Sequence, residues 1–177
     1  MKVLDMHCDT IGELYSQEKA GGSQGIVRNS LMVDLEKMEK GNYGLQVFAL
    51  FVNLQSAGDD PFARCMEMAD TFYRELSAYP DRIGIVRTYE DIEKNWKRGR
   101  MSALLSIEEG GTCRGNLAFL RDFYRLGVRM MTLTWNYPNE LAYPNRFSRL
   151  PDGRGRFEAE TERGLTETGI AFVEEMD

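Results

Sequence analysis

The sequence predicts an α/β fold in which helices alternate with parallel strands. Short apolar runs alternate along the chain with segments that carry the 3.6-residue periodicity of amphipathic helices. Turn sequences typical of β-hairpins are nearly absent between these runs, so helices are expected to connect consecutive strands, as in βαβ units. The 177 residues have the length of a single domain, and 42% of them are hydrophobic, which is enough for a sizeable core.

Five apolar runs are candidate strands. Residues 45–52 are apolar except for Gln46, which is typical of a strand covered on both faces. The other four runs are residues 2–7, 83–86, 101–107 and 128–134. Five parallel strands suit an open doubly wound sheet or part of a (β/α)8 barrel, which needs eight strands to close. A nucleotide-binding open sheet is the weaker interpretation, because the sequence contains neither G-x-G-x-x-G after the first run nor a P-loop.

Helix signals lie between these runs. The clearest helix begins at Asp60-Pro61, an N-cap followed by proline at the first helical position, and carries one apolar face for about four turns. That face comprises Phe62, Cys65, Met66, Ala69, Phe72, Tyr73 and Leu76. Further helices are predicted to begin at Asp34, Thr88, Asn116 and Thr166.

The last predicted helix and two long loops complete the chain. After Thr166, the residues Ile170, Val173 and Met176 recur at every third position and predict an apolar helix face. Residues 21–30 and 136–164 are predicted loops, and the prolines and glycines of the second exclude a helix or a buried strand. Because this second loop follows the end of a strand, it is expected to be functional.

Charge and cysteine content exclude several classes of protein. The chain has 22 basic and 28 acidic side chains, a net charge of −6, which argues against a nucleic-acid-binding surface. Its longest uninterrupted apolar run, residues 47–52, is far shorter than a membrane span, and the N-terminus lacks the pattern of a signal peptide. The three cysteines form no C-x-x-C pair, so a disulfide framework is not indicated and a cytoplasmic location is expected.

Polar residues with metal-binding chemistry end the first candidate strand. His7 and Asp9 are two residues apart, so in a strand they face the same side, while Cys8 is expected to point the other way and to pack in the core. An imidazole nitrogen and a carboxylate oxygen suit a zinc-like divalent ion. The simpler alternative is that His7 is a hydrogen-bonded polar residue at a strand end.

An acidic pair ends the fourth candidate strand. Glu108 and Glu109 follow an apolar run and precede Gly110 and Gly111. In a parallel barrel, a glutamate at this position faces the same rim as His7, and the glycines are expected to turn the backbone sharply and to leave space beside a ligand. The alternative is an exposed acidic turn.

The end of the fifth candidate strand carries groups that could line a pocket. Trp135, Asn136 and Tyr137 follow this strand directly and are candidate substrate-pocket residues. For Trp135, packing beneath the long loop is the alternative.

Taken in order, these features resemble the membrane dipeptidase (renal dipeptidase) family. The resemblance is carried by His7-x-Asp9, by Ser-Ile-Glu-Glu-Gly-Gly at 106–111 and by Gly-Val-Arg-Met-Met-Thr-Leu-Thr at 127–134. Residues 28–34 and Gly-Leu-Thr-Glu at 164–167 also match. No single motif is specific, but the ordered set extends over essentially the whole chain, which is therefore identified as a member of the family.

The resemblance implies a (β/α)8 barrel with two zinc ions at its carboxyl-terminal rim and the hydrolysis of dipeptides by a metal-activated water. By the same resemblance, His7 and Asp9 ligate the first ion and a glutamate bridges both ions. Residues 127–134 match the family's strand that begins with glycine and carries an arginine. Continuing this match toward the N-terminus without a gap places Glu108 at the position of the bridge, with Glu109 as the alternative. A bridging carboxylate holds two cations close enough to act on one water molecule.

Two departures limit what the resemblance implies. Trp135 stands where some members carry a substrate-contacting histidine. The family's two histidine ligands of the second ion, a substrate-binding arginine and an acidic proton-transfer residue lie farther along than Asp177, so the main catalytic residue is not identified here. Residues 1–177 are therefore expected to be the N-terminal part of one barrel domain, inactive alone.

A partial barrel of this kind is expected to bind a metal ion and to need a partner. At most one weakly bound zinc ion is expected in this chain, and either a second copy or a missing C-terminal half is expected to cover its open strand edges. Two alternative functions stay open: another amide or ester hydrolase of the same metal-barrel type, and a short non-catalytic product that binds a metal or a partner.

Overall fold

The computed structural model describes residues 1–56, 58 and 60–177. In chain order the elements are β1 (Val3–Asp5), α1 (Thr10–Lys19), α2 (Leu35–Lys40), β2 (Tyr43–Phe51), α3 (Pro61–Ser77), β3 (Ile83–Ile85), α4 (Tyr89–Lys97), β4 (Met101–Glu108), α5 (Leu117–Leu126), β5 (Val128–Thr132), β6 (Arg146–Arg149), β7 (Gly155–Glu158) and α6 (Glu167–Met176). A short 3₁₀ turn, Gly110–Cys113, follows β4.

Five strands form one parallel sheet, as the sequence predicts. β2 pairs with β1 on one side and with β4 on the other, where residues 45–51 lie opposite residues 102–108. β3 and β5 share the remaining edge of β4, with β3 beside residues 101–103 and β5 beside residues 105–108. The strand ends differ from the predicted ones by at most two residues. Because every pairing in this sheet is parallel, the carboxyl ends of its strands lie at one edge.

Helices α1, α3 and α5 cover one face of the sheet. Leu105 and Ile107 of β4 point to this face and belong to the main hydrophobic core. Phe72 of α3 is fully buried there and packs edge-on against Phe48 of β2, with ring centroids 5.8 Å apart. The predicted apolar stripe of α3 is confirmed, because its members are either buried in this core or partly buried against it.

Helix α4 packs against the amino-terminal end of the opposite face. Val47 of β2 and Leu104 of β4 form a small apolar cluster there with Ile92 of α4. The side-chain amide of Asn95 donates to Ser102 Oγ at 3.2 Å, which attaches the helix to β4. Helix α4 does not cover the carboxyl-terminal end of the same face, where polar residues lie.

The predicted helix starts are confirmed by their capping bonds. Each of the predicted caps accepts a hydrogen bond from a backbone N–H in the first turn of its helix: Asp34, Asp60, Thr88, Asn116 and Thr166. Helix α1 has no predicted counterpart, and Asp9 at its N-cap position makes no side-chain capping bond. The carboxylate of Asp9 is therefore left for other contacts.

The long predicted loop contains regular structure. Within residues 136–164, β6 and β7 form an antiparallel hairpin, so the prediction of a loop throughout is wrong. Its strands are mostly exposed and are held by their own ladder and by the contact of Phe147 with Phe157, whose ring centroids are 5.0 Å apart. The prolines that argued against a strand lie outside both strands, and the argument applied only to buried strands.

Helix α6 buries a different face from the predicted one. Ile170, Val173 and Met176 are 48%, 43% and 47% exposed, whereas Gly169 and Phe172 are buried. The helix lies so close to the preceding chain that a Cβ on Gly169 would collide with the Leu141 carbonyl oxygen, and this close approach sets the rotation of the helix. No helix in the described part of the chain is both long enough and apolar enough to cross a lipid bilayer.

Candidate metal centre

Residues 6–9 lead from β1 into α1 at the carboxyl-terminal edge of the sheet. β1 ends at Asp5, two residues before the predicted end of the first run at His7. Backbone pairing nevertheless continues, because the Cys8 N–H and carbonyl both bond to the β2 backbone, at 3.0 and 2.9 Å. Cys8 is buried, as predicted, while His7 and Asp9 on either side of it are exposed. The strand-like alternation therefore persists beyond the regular strand.

His7, Asp9 and Glu108 converge at this edge. His7 Nε2 lies 3.4 Å from Asp9 Oδ1 and 3.3 Å from Glu108 Oε2. One ligand atom from each of the three residues lies within 4.8 Å of the others. One imidazole nitrogen and two carboxylate oxygens form a donor set that suits Zn²⁺ and similar divalent cations. The three residues therefore fit a metal ion by both chemistry and distance.

Glu108 is the most enclosed of the three residues. Its side chain is 19% exposed, compared with 49% for His7 and 60% for Asp9. Burial raises the pKa of Glu108, the imidazole of His7 lowers it, and the carboxylates of Asp9 and Glu109 raise it further. The net result is a raised pKa, so the surroundings of Glu108 disfavour its negative charge. A bound cation would stabilise that charge.

Glu109, the alternative bridging residue, points away from this trio into the core. Its side chain is fully buried, and its backbone φ is +86°. The carboxylate accepts hydrogen bonds from Gly111 N–H at 2.8 Å, from Trp135 N–H at 3.0 Å and from the Asn139 side-chain amide. Burial raises its pKa, and these hydrogen bonds partly offset the rise. The structure therefore brings Glu108, and not Glu109, to His7.

The double glycine after this acidic pair serves packing. The positive φ that turns the chain lies at Glu109, and neither Gly110 nor Gly111 has one. A Cβ on Gly110 would lie 2.8 Å from Leu141 Cδ1, and a Cβ on Gly111 would lie 2.6 Å from Leu54 Cδ1. The expectation of glycines that make the turn and leave room for a ligand is wrong, because neighbouring loops fill that space.

A groove of about 370 Å³ opens beside the trio. Asp9, Glu108 and Trp135 all line it. The indole of Trp135 packs on the ring of Phe51 at the end of β2, with centroids 5.0 Å apart. The other lining residues are Gly12, Glu13, Ser16, Ala49, Phe51, Asn53, Arg64 and Met68. One predicted pocket residue therefore lies on the same groove as two predicted metal ligands.

The other two predicted pocket residues lie elsewhere. Neither Asn136 nor Tyr137 is among the described residues that line this groove. The hydroxyl of Tyr137 accepts from Leu54 N–H at 2.8 Å and lies 3.3 Å from Asn53 Oδ1. Tyr137 therefore fastens the loop after β5 to the chain that follows β2.

Sequence reasoning did not single out Arg64, which reaches the groove from the first turn of α3. Its Nε is buried and has no hydrogen-bond partner among the described residues. The sequence could have placed Arg64 at this edge, because the first turn of a helix that follows a parallel strand lies at the same edge as the strand's carboxyl end.

The comparison with known families decides what kind of protein this is. The family model of membrane dipeptidase, peptidase family M19, matches residues 1–177.

The chain belongs to the membrane dipeptidase family.

Members of this family are metallopeptidases, and the chain's relatives include curated dipeptidases of a mammal and a fungus. It is 30% identical to Dipeptidase 3 of Mus musculus over 145 residues, which cover 81% of this chain and 27% of the relative. It is 27% identical to Dipeptidase verJ of Clonostachys rogersoniana over 154 residues, which cover 81% of this chain and 37% of the relative. The chain thus spans about a third of the length of these relatives.

Solved structures of two metallopeptidases share the fold. A metallopeptidase from Rhodobacter sphaeroides, liganded with a phosphinate mimic of the dipeptide L-Ala-D-Ala, is 22% identical and superposes with a TM-score of 0.79 over 99% of this chain and 55% of its own. A dipeptidase described as a metallopeptidase of family M19, also 22% identical, has a TM-score of 0.75 over 99% of this chain and 53% of its own. The five-stranded sheet is therefore part of a TIM-type barrel, as the resemblance implied.

Proposed function

We propose that this chain is the part of a zinc-dependent dipeptidase that binds the first metal ion through His7, Asp9 and Glu108. The observation that carries the proposal is the convergence of the chain's single histidine with two carboxylates at the carboxyl-terminal edge of a TIM-type sheet. Dipeptides are the proposed substrates, because the mouse and fungal relatives are dipeptidases. The peptide bond would be cleaved by a water molecule activated at the metal.

The chain's own residues have distinct proposed tasks. When bound, zinc supplies Lewis-acid chemistry that polarises a carbonyl group and acidifies water. His7 offers a nitrogen lone pair only while its imidazole is neutral, and Asp9 and Glu108 offer negative charge that retains a cation. Glu108 is the proposed bridge between two ions, which its enclosed position at the end of β4 supports. Trp135 is the proposed wall of the substrate groove.

The compartment and the partner are part of the same proposal. Cys8, Cys65 and Cys113 are free thiols buried in the described structure, which supports a reducing compartment such as the cytoplasm. The proposed partner is a second copy or the remaining part of the barrel.

Zinc titration of the metal-free chain by calorimetry tests the metal site. We expect at most one weakly bound ion per chain, because the trio supplies three ligands. His7→Ala removes the only imidazole and is expected to abolish binding. The matched control is Glu13→Gln, which changes an exposed groove carboxylate outside the trio and is expected to leave binding intact. Two tightly held ions per chain, or unchanged binding in His7→Ala, would contradict the proposal.

The substrate class is tested in a polypeptide that carries these residues within a complete barrel. We expect chelator-sensitive release of amino acids from a dipeptide panel. Preferential cleavage of blocked amides or esters would instead favour the alternative hydrolase of the same metal-barrel type.

A further inference from the structure

Glu109 occupies an unusual position next to the proposed metal site. We infer that Glu109 is a positioning residue, which holds Trp135 in place as one wall of the groove beside the metal ligands. The inference rests on the proposed function in one respect, because that proposal makes this groove the place where substrate binds. The contacts of Glu109 themselves are independent of it.

The carboxylate of Glu109 joins three separate points of the chain. One oxygen accepts from Gly111 N–H and from the Asn139 amide, and the other accepts from Trp135 N–H. Asn139 extends the connection, because its amide also donates to the Leu133 carbonyl at 2.7 Å. The loop segment from Trp135 to Asn139 is thus fastened at both residues to one buried carboxylate.

The burial of Glu109 and its strained backbone both cost free energy of folding. Glu109 is fully buried, and a buried carboxylate is stable only when its oxygens are well satisfied. Its positive φ of +86° is unfavourable for a side chain with a Cβ and persists only where the surroundings enforce it. Both costs are tolerated at the residue that directly follows the proposed ligand Glu108.

Adjacent residues of one strand end therefore connect two parts of the site. Glu108 reaches His7, and Glu109 reaches the Trp135 loop. Because a single peptide unit separates the two, the position of Trp135 is fixed relative to the metal ligands. A groove wall placed in this way sets which substrate side chains fit without touching the metal itself.

Replacement of Glu109 by glutamine tests this arrangement. Both carboxylate oxygens of Glu109 accept hydrogen bonds. Glutamine carries an NH2 group in place of one of these oxygens, so a donor of the surrounding chain then faces another donor. The parent for the test is Trp96→Phe, in which Trp135 is the single tryptophan. The measurements are acrylamide quenching of Trp135 fluorescence, circular dichroism, and calorimetric zinc titration. The control is Glu140→Gln, which changes an exposed glutamate of the same loop.

In the folded state, Glu109→Gln is expected to raise the quenching constant of Trp135 by roughly twofold or more, because the loop loses its attachment. Zinc affinity is expected to stay within about twofold of the parent, since no ligand is removed. Glu140→Gln is expected to change neither quantity. If Glu109→Gln does not fold, Asn139→Ala removes one of the three donors to the Glu109 carboxylate and is expected to raise the quenching constant in the same direction.

Two results would overturn the inference. If Glu109→Gln lowers the unfolding midpoint but leaves the quenching constant of Trp135 in the folded state unchanged, the role of Glu109 is purely structural. If Glu109→Gln loses zinc binding as completely as Glu108→Gln, Glu109 is a metal ligand. Failure of the parent to bind zinc would count against the proposed metal site, while the quenching comparison would still decide whether Glu109 positions Trp135.

Discussion

At the scale of single residues, two adjacent glutamates occupy opposite environments. Glu108 is partly open and shares an edge with His7 and Asp9, whereas Glu109 is enclosed by backbone and amide donors. Successive side chains at the end of a strand point to opposite faces, so a shift of one residue exchanges the two environments. This is why sequence matching, which selects Glu108, keeps Glu109 as the alternative.

The raised pKa of Glu108 gives a prediction about the metal-free chain. Below about pH 4.3, the ordinary glutamate pKa, Glu108 is protonated in both the folded and unfolded states, so Glu108→Gln and the parent should be equally stable. As pH rises, ionisation costs more in the folded state, and the parent loses stability relative to the variant. At neutral pH we expect Glu108→Gln to be more stable by about 0.5 kcal/mol, the scale of a partly exposed charge.

Urea unfolding of both chains across this pH range, with chelator present, measures the difference. Zinc should reverse the order, because a ligand that binds the folded state stabilises only the chain that can hold it. Glu108→Asp should also bind zinc less tightly than the parent, because the shorter side chain cannot reach the same point. A metal-free Glu108→Gln chain that is less stable at neutral pH would contradict the assigned cause of the raised pKa.

At the scale of elements, five helices begin at their predicted caps, whereas the exposed hairpin and the exposed face of α6 depart from the local patterns. α3 is capped by Asp60 and buries the predicted stripe, because its cap and periodicity agree with the sheet beneath it. The hairpin of β6 and β7 escaped prediction because exposed strands need no apolar alternation. α6 exposes the predicted stripe because Gly169 permits a close approach to residue 141 that selects another face.

The core contact of α3 gives the element-scale prediction. Phe72→Ala removes a fully buried ring that packs on Phe48, and we expect a loss of about 3–5 kcal/mol in the free energy of unfolding. The control is Tyr89→Ala, because Tyr89 is 65% exposed and its removal should cost less than about 0.5 kcal/mol. Denaturant unfolding measures both. Equal losses in the two variants would show that α3 does not pack as described.

At the scale of the whole molecule, the face that carries the metal trio is incompletely covered. Leu4 and Met130 lie on strands of this face and are 52% and 37% exposed. In the described residues, β1 and β5 each pair with a single neighbouring strand, so each presents an edge. Open edges beside exposed apolar side chains favour pairing with another chain.

We therefore expect the 177-residue chain to self-associate in a concentration-dependent way. Size-exclusion chromatography with light scattering measures the mass across a range of concentrations. Ile170→Lys with Val173→Lys places charges on the exposed face of α6 and should reduce association if that face takes part. A monomer at every concentration, with both edges intact, would contradict the expectation.

The 177 residues alone are expected to show no dipeptidase turnover. Each chain supplies one imidazole, and its described residues form one trio of ligands, which is too few for a two-metal centre. The measurement is amino acid release from a dipeptide panel by homogeneous, zinc-loaded chain, with chelator as the control. Robust, chelator-sensitive release would refute this prediction, and the polypeptide with a complete barrel provides the positive comparison.

The sequence by itself determined the parallel α/β class, the starts of α2 to α6 and the candidate ligands, because caps, periodicity and strand-end chemistry act over a few residues. Only the tertiary structure decided that Glu108 rather than Glu109 meets His7, and that Trp135 rather than Asn136 or Tyr137 lines the groove. These outcomes depend on contacts between residues far apart in the chain, such as Glu109 with the loop after β5. Local patterns carry no information about which distant backbone donors a buried carboxylate will find, so the folded chain alone makes that choice.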